Sequence, residues 1–264
     1  MRIAVCSAVY QRAALAVPWW HGVQRIVLTF RAAGHVACAF VGGDEDVHRD
    51  LCADNGACWV EVENKPLGHK WNAVAADALS WGADYLFILG MDDFFTPSLL
   101  ALYPPVLHAG HPYVGLRSLY FYHTQLRQAL HLCTGWHGEL PFTRGRSNVV
   151  RVRTKTMQRT AIFGCGRVLH RSLFQQPGDE FWEASRNHAL DASLARRLRL
   201  PSAHLLPVND RTAFVLDVKT ASDNITPWER LQESFALPLL PDLSILAAVP
   251  EWPALLQLSS NEST

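Results

Sequence analysis

The chain has 264 residues, and 49% of them are hydrophobic, which provides for a large core and excludes wholesale disorder. Its formal net charge is zero, which argues against a protein that grips nucleic acid over its whole surface. The six cysteines lack Cys-x-x-Cys spacing, no apolar run is long enough to span a bilayer and no signal peptide is recognised after Met1, so we expect a cytoplasmic protein without transmembrane association.

The first hundred residues alternate between predicted strands and predicted helices. Apolar runs predict strands at Ile3–Ala8, Val36–Val41, Cys58–Val62 and Tyr85–Leu89. Helical patterns predict Trp19–Ala33 with Pro18 near its start, Asp46–Asp54, and a helix that carries Trp71, Val74, Ala75, Ala78 and Leu79. This order implies βαβ units and therefore an α/β fold with a mainly parallel sheet flanked by helices.

The pattern changes beyond residue 100. The sequence predicts a strand pair at Tyr113–His123 and Gln128–Thr134, a basic loop at Leu140–Arg159, a helix at Ala189–Leu200 and a strand at Ala213–Val218. A proline-rich tail over 236–264 is expected to be irregular and packed back on the domain. We therefore predict one domain over 1–235, made of a first half, 1–100, and a second half, 101–235, followed by the tail.

Polar residues follow the predicted strands of the first half. Asp44, the turn Pro66–Lys70 and the pair Asp92-Asp93 all come after strands, so they are expected at the ligand-binding edge of the sheet. Adjacent carboxylates after a buried strand suit Mg²⁺ or Mn²⁺ shared with substrate phosphates, and this position favours the metal site over the alternative, an Asp that caps the next helix. Lys70 is either a solvated charge or a phosphate ligand beside the free N–H groups of a helix start.

The stretch Val62 to Leu99 resembles the GT-A-type glycosyltransferases, especially their family-2-like group, whose Asp-x-Asp motif closes the same half of the fold. The resemblance implies a GT-A-like, Rossmann-related fold. It implies that Asp93 binds the metal, that Asp92 faces the ribose or the metal, that Asp44 contacts the nucleoside and that Lys70 approaches the donor. A nucleoside-diphosphate sugar, with a UDP-sugar as first choice, is the implied donor, and Mn²⁺ or Mg²⁺ is the implied cofactor.

The resemblance also suggests roles in the second half, so that 1–100 is the donor half and 101–235 the acceptor half. The segment Leu190–Arg197 resembles the helix that carries the general base of inverting enzymes, with Leu190 where a Glu stands in the family. Asp191 is the candidate base, and His188 is the alternative. Gly166, in the turn Gly164–Arg167, resembles an acceptor-binding position.

Further candidates follow the last predicted strand. Asp217 or His204 would complete the metal shell, and Lys219 would meet the diphosphate of the donor. Exposed charges after a strand are the ordinary alternative. The chain has no Gln-x-x-Arg-Trp sequence, which speaks against a processive polysaccharide synthase.

The acceptor is inferred from charge. Leu140–Gly178 holds eight Lys or Arg and no Asp or Glu, so Arg151 and Arg153 would follow a phosphate backbone while Trp136 stacks on a base. This favours a hydroxymethylated DNA base as acceptor, in a bacterium or a virus-infected host cell. A lipid-linked or surface glycan is the alternative acceptor, and a solvated loop is the plain explanation.

Two other classes of protein remain open on the sequence. A nucleotide-binding or nucleic-acid-binding protein without transfer activity would have the same scaffold. A nucleotidyltransferase also pairs carboxylates around Mg²⁺, but it normally has a glycine-rich turn after the first strand, and Ser7–Arg12 contains no glycine.

Overall fold

The computed structural model describes residues 1–116, 118–133, 162–174, 180–188, 190–198, 203–206, 211–220, 228–229, 239–240 and 242–261. The strands are β1 Arg2–Ala8, β2 Val36–Gly43, β3 Cys58–Glu61, β4 Tyr85–Gly90, β5 Asp93–Phe95, β6 Tyr113–Gly115, β7 Ser118–His123, β8 Gln128–Cys133, β9 Arg167–His170, β10 His204–Leu205 and β11 Val215–Lys219. The α-helices are α1 Ala13–Ala32, α2 Asp46–Asp54, α3 Leu67–Ser80, α4 Pro97–Leu100, α5 Tyr103–His108, α6 Leu190–Arg197 and α7 Trp252–Asn261. Short 3-10 helices span Arg171–Leu173 and Ser244–Ala248.

The main sheet has seven strands within the described part of the chain, in the order β10-β6-β9-β4-β1-β2-β3. β1 pairs in parallel with both β2 and β4, and β2 pairs in parallel with β3. β9 runs antiparallel to β4 and β6, so the sheet is mixed and mainly parallel. The predicted fold class is therefore confirmed.

Helices cover both faces of this sheet because successive side chains of each strand point to opposite sides. On one face, Trp71 and Val74 of α3 join the apolar cluster that contains Ala4 of β1. On the other face, Trp19 of α1 joins the cluster that contains Ile3 of β1. Burying each large apolar side chain contributes about 1.5–3 kcal/mol, so these two clusters fix the helices against the strands.

A second sheet, in the order β5-β11-β7-β8, lies beside the carboxyl end of β4. β5 pairs antiparallel with β11, and this register sets Asp93 opposite Asp217. The alternative in which an Asp of this pair caps a helix does not hold, because Asp93 begins a strand and Thr96 is the cap of α4, with its Oγ1 accepting from the Leu99 N–H. The strand predicted over Tyr113–His123 is also wrong as one unit, since β6 and β7 belong to different sheets.

Two helices differ from their predicted extents. α1 begins at Ala13, and Pro18 lies inside it, because the buried side of the helix extends back to Leu15. The tail was predicted to be irregular, but α7 is helical and packs on α1. Glu251, just before α7, receives two hydrogen bonds from Arg25 of α1 at 2.5 and 2.6 Å, which fixes this contact.

Among the described residues, no helix combines the length and the apolar character needed to cross a membrane. The predicted loop Leu140–Arg159 lies outside the described residues, and so do Trp136, Arg151 and Arg153. Nothing in the structure therefore bears on these candidate acceptor residues.

Candidate active site

Asp92 and Asp93 lie where β4 ends and turns into β5. The backbone N–H of Gly90 donates to Asp93 Oδ2. A Cβ at position 90 would lie 2.6 Å from Asp92 Oδ1 and 3.2 Å from Asp93 Oδ2. Only glycine therefore leaves room for both carboxylates beside the end of the strand.

Five charged side chains form the centre of the site. The pairing of β5 with β11 brings Asp217 to Asp92 and Asp93, and Lys219 follows on the same strand. Lys219 Nζ lies 2.7 Å from Asp217 Oδ1 and 3.4 Å from Asp92 Oδ2. Arg12, from the turn between β1 and α1, places Nη1 2.8 Å from the same Asp92 oxygen. We call these five residues the charge cluster.

The carboxylates of the charge cluster outnumber its cations, and burial together with the neighbouring charges shifts the pKa of each carboxylate. Burial, together with the charges of Asp92 and Asp217, raises the pKa of Asp93 well above its ordinary range. Burial raises the pKa of Asp217 to about 6 against the opposing effect of Lys219. Burial acts in the same sense on Asp92, but Arg12 and Lys219 outweigh it and lower the pKa of Asp92. The cluster therefore favours the uptake of a proton or of a further cation.

The side chains present fit a hard divalent cation. Carboxylate oxygens are the ligands that Mg²⁺ and Mn²⁺ prefer, and the charge cluster brings three carboxylates together with two cations. Within the described ranges, no group of three or more His, Cys, Asp or Glu side chains is arranged to hold an ion by itself. One or two of these carboxylates would therefore hold the cation together with substrate phosphates, as is usual for Mg²⁺.

A cavity of about 460 Å³ contains this centre. Its walls include Asp92, Asp93, Asp217 and Lys219, and also the candidate bases His188 and Asp191. A second cavity of about 360 Å³ is lined by Tyr10, Arg12, Asn64 and Lys65. The two cavities share Leu67, Trp71, Gly90, Asp92 and Asn187. The charge cluster thus lies where two adjoining chambers meet.

Asp191 enters the first cavity from the start of α6. Its side chain is 57% exposed, and its Oδ1 lies 3.2 Å from Nη2 of the buried Arg167. A Cβ at position 164 would lie 2.7 Å from the same Oδ1, so Gly164 gives this carboxylate its space. The arrangement presents a charged, accessible oxygen inside the cavity. His188 is exposed and lines the same cavity.

Gly166 and His204 have other surroundings. Gly166 has φ +66°, and a Cβ there would lie 2.5 Å from Tyr103 Oη, which donates to the Gly166 carbonyl. His204 lies in β10, at the edge of the main sheet, and its ring stacks on the ring of His111. Neither residue is among the described side chains that line the cavity with the charge cluster.

Lys70 is buried and contacts Asn64, which lines the second cavity. Its Nζ donates to the Val9 carbonyl at 2.7 Å and to Asn64 Oδ1 at 2.9 Å, and burial lowers its pKa to about 8. The ammonium therefore ties the end of β1 to the turn before α3. Asp44 is exposed, and its Oδ2 accepts from the N–H of Asn64, a residue of the second cavity.

The expectation that free N–H groups at the start of α3 attract phosphate is wrong. The chain satisfies them itself: Gly68 N–H donates to Arg186 O at 2.8 Å and His69 N–H to Ala184 O at 3.1 Å. The Leu67 N–H donates to Asn187 Oδ1 at 2.9 Å. These bonds fasten the segment 183–188, which we call the strap, across the helix start. The strap brings Asn187 and His188 to the first cavity.

We expect Gly68→Ala to destabilise the protein by about 1–3 kcal/mol, because overpacking forces the backbone to shift. A Cβ at position 68 would lie 2.2 Å from the Glu183 carbonyl oxygen of the strap. Gly22→Ala is the matched control, since its Cβ would meet nothing closer than 4.0 Å inside α1. The control should raise stability by about 0.5–1 kcal/mol. Urea denaturation measures both, and an unchanged midpoint for Gly68→Ala would contradict the close contact.

Sequence reasoning missed Arg12, the strap and Asn72. Asn72 anchors the chain just before the strap, since its side chain donates to Trp182 O and accepts from the N–H groups of Phe181 and Trp182. Arg12 carried a usable signal, because it follows β1 and so belongs to the same sheet edge as Asp44 and Asp92. The strap carried none, because its partners lie more than a hundred residues away in the sequence.

No protein-family model matches the sequence, and no curated protein sequence matches it. Solved structures do. A structure of S. aureus TarS 1–349 in complex with UDP-GlcNAc matches with a TM-score of 0.50 and 10% identity, over 99% of this chain and 72% of that chain. The mannosyltransferase PcManGT from Pyrobaculum calidifontis, in complex with GDP-Man and Mn²⁺, matches with a TM-score of 0.46 and 13% identity, over 100% and 76%. The chain spans 60% of another TarS 1–349 structure and 38% of a longer TarS chain.

The similarity to TarS shows the fold alone, because a sequence identity of 10% carries no information on an individual activity. The chain has a GT-A-like fold, as the resemblance of Val62–Leu99 implied.

Proposed function

We propose that the protein is a glycosyltransferase that moves a sugar from a nucleoside diphosphate to an acceptor hydroxyl. The observation that carries this proposal is the position of the charge cluster, at the junction of two adjoining cavities of about 460 and 360 Å³. Volumes of this size accommodate small ligands, and a nucleotide sugar has two bulky parts joined by a charged diphosphate. The GT-A-like fold supports the same conclusion.

Charge and shape support one arrangement of the donor. The nucleoside occupies the second cavity, between Tyr10 and Asn64, and the diphosphate lies at the charge cluster. The sugar then extends into the first cavity, toward Asp191. A UDP-sugar is our first choice, since the similar TarS structure is a complex with UDP-GlcNAc.

The residues of the first cavity suit direct displacement. Asp191 takes the proton of the acceptor hydroxyl while the acceptor oxygen bonds to the anomeric carbon of the sugar. The bond from that carbon to the diphosphate oxygen breaks, and the configuration inverts. Lys219 stabilises the charge of the departing diphosphate from β11. A bound Mn²⁺ or Mg²⁺, held by Asp93 with Asp92 or Asp217, would supply additional neutralisation of that charge.

The first test is donor binding and turnover. The purified protein is incubated with UDP- and GDP-sugars in Mn²⁺, in Mg²⁺ or in EDTA, and the released nucleoside diphosphate is measured. We expect slow release from one donor even without acceptor, because water substitutes for the acceptor hydroxyl, and we expect loss of release in EDTA. Binding without release in any metal would instead indicate a non-catalytic nucleotide-binding protein. Pyrophosphate release from a nucleoside triphosphate and a sugar phosphate would indicate a nucleotidyltransferase.

The acceptor is tested by adding candidates to the same assay. We propose DNA that contains hydroxymethylated bases as the first candidate, on the charge of Leu140–Gly178. A lipid-linked glycan and a surface glycan are the other two. Acceleration of donor consumption by one acceptor identifies it, and acceleration only by a glycan removes the DNA hypothesis.

A further inference from the structure

Arg12 is held in a constrained turn. Gln11 and Arg12 have φ of 52° and 54°, so two consecutive residues other than glycine are left-handed. Such residues cost of order 1–3 kcal/mol each and persist where the surroundings fix them. Here the Gln11 N–H donates to Glu45 Oε2 at 2.5 Å, and the buried His48 lies 3.0 Å from the Gln11 carbonyl through Nε2. The turn is therefore shaped by contacts that direct the Arg12 side chain inward.

The guanidinium of Arg12 lies in the second cavity, beside the Asp92 carboxylate that both cavities share. Its side chain is 10% exposed, it lines the second cavity, and it contacts Asp92, which lines both. A diphosphate that connects a nucleoside in the second cavity to a sugar in the first must pass this group. Arginine is suited to this position, because its planar donors match the oxygens of phosphate as well as those of carboxylate.

Asp92 has two candidate partners for one oxygen. Arg12 and Lys219 both contact Asp92 Oδ2, at 2.8 and 3.4 Å. A divalent cation that binds Asp92 through Oδ2 has to share or replace the contact with Arg12. The diphosphate offers a displaced guanidinium new oxygen partners within the same pair of cavities.

We propose that Arg12 is a donor-binding residue that exchanges partners, pairing with Asp92 in the empty site and with the diphosphate when a nucleotide sugar binds. This inference rests on the proposed function. When no donor is present, Arg12 competes with the divalent cation for Asp92. Once the donor is bound, Arg12 pairs with the diphosphate of the donor.

The test measures two ligands on Arg12→Gln, namely MnCl₂ alone and UDP at saturating Mn²⁺, both by calorimetry. We expect Mn²⁺ alone to bind several-fold tighter than to the wild type, because Asp92 has lost the nearer of its two cationic neighbours and keeps only Lys219. We expect UDP to bind about tenfold weaker or more, because a charge-assisted hydrogen bond is lost. If the role of Arg12 were merely structural, Arg12→Gln would weaken the binding of Mn²⁺ and of UDP alike, and that result overturns the proposal. Arg49→Gln is the control, since Arg49 pairs with Glu61 on the surface at 3.7 Å.

A second variant, Asp92→Asn, tests the exchange with Arg12 in place and does not depend on the folding of Arg12→Gln. In Asp92→Asn the guanidinium of Arg12 no longer faces the charge of Asp92. The diphosphate then binds Arg12 without displacing that contact, so UDP should bind tighter than to the wild type in EDTA. Adding Arg12→Gln to that variant should remove the gain. A gain that survives in the double variant, or no gain in Asp92→Asn, overturns the proposal. If the wild type binds no nucleoside diphosphate with any cation, the proposed function fails instead, which separates the two conclusions.

Discussion

Asp93→Asn is expected to reduce sugar transfer by about 10³-fold or more, since a cation that neutralises a leaving group contributes several kcal/mol. Asn keeps the shape of the side chain and can still accept from the Gly90 N–H. It removes the charge with which Asp93 would hold the cation. Transfer assays with saturating donor measure the loss, and Asp54→Asn, an exposed Asp on α2, is the control that should retain full activity.

The same variant should be more stable than the wild type in EDTA at neutral pH. The pKa of Asp93 is raised on folding, by burial and by Asp92 and Asp217, so the folded wild type binds more protons than the unfolded chain. The contribution of protonated Asp93 to the free energy of unfolding is therefore fully present below the ordinary pKa of 3.8. This contribution is lost as the pH rises toward the raised pKa. Asn does not titrate, so the advantage of the variant should grow with pH above about 4. Activity at the wild-type level, or a variant less stable than the wild type at pH 7, would contradict the assignment.

The fold of residues 1–100 was largely predictable because its signals are local. The run Tyr85–Leu89 is apolar without alternation, which indicates a central strand covered on both faces, and β4 occupies that position. Parallel strands bring their carboxyl ends to one edge, so the order of elements alone predicted that Asp92 and Asp93 lie at the edge where such sheets bind ligands. The helix α2 was predicted with its observed bounds, Asp46–Asp54, from its charged start and the Asn55-Gly56 stop.

The details of the site were not predictable, because they depend on contacts between distant parts of the chain. The short strand β5 is defined only by its pairing with β11, more than a hundred residues later. That pairing, rather than the spacing of acidic residues, brings Asp217 and Lys219 to Asp92. The strap similarly occupies the N–H groups of α3 that sequence reasoning assigned to phosphate. A helix start is an anion site only where the rest of the fold leaves it open.

Asp191→Asn is expected to lower kcat by about 10²–10⁴-fold, the usual contribution of a general base. UDP affinity at saturating Mn²⁺ should stay within about twofold of the wild type, because a base acts on the acceptor proton in the transition state. The measurements are kcat with a saturating acceptor and the dissociation constant of UDP. Glu183→Gln is the matched control: this carboxylate pairs with Arg186 on the strap and is not among the residues described as lining the cavity.

The contact of Asp191 with Arg167 makes this test demanding. Removing the carboxylate charge leaves the buried guanidinium of Arg167 without this partner, so thermal unfolding has to be measured alongside the kinetics. A fall in kcat in protein that is folded at the assay temperature supports the assignment. If UDP affinity falls and the turnover per bound donor survives, Asp191 is a binding or structural residue. His188→Gln then decides the question, since His188 is the other candidate base that lines the cavity and an imidazole is suited to accept a proton near neutral pH.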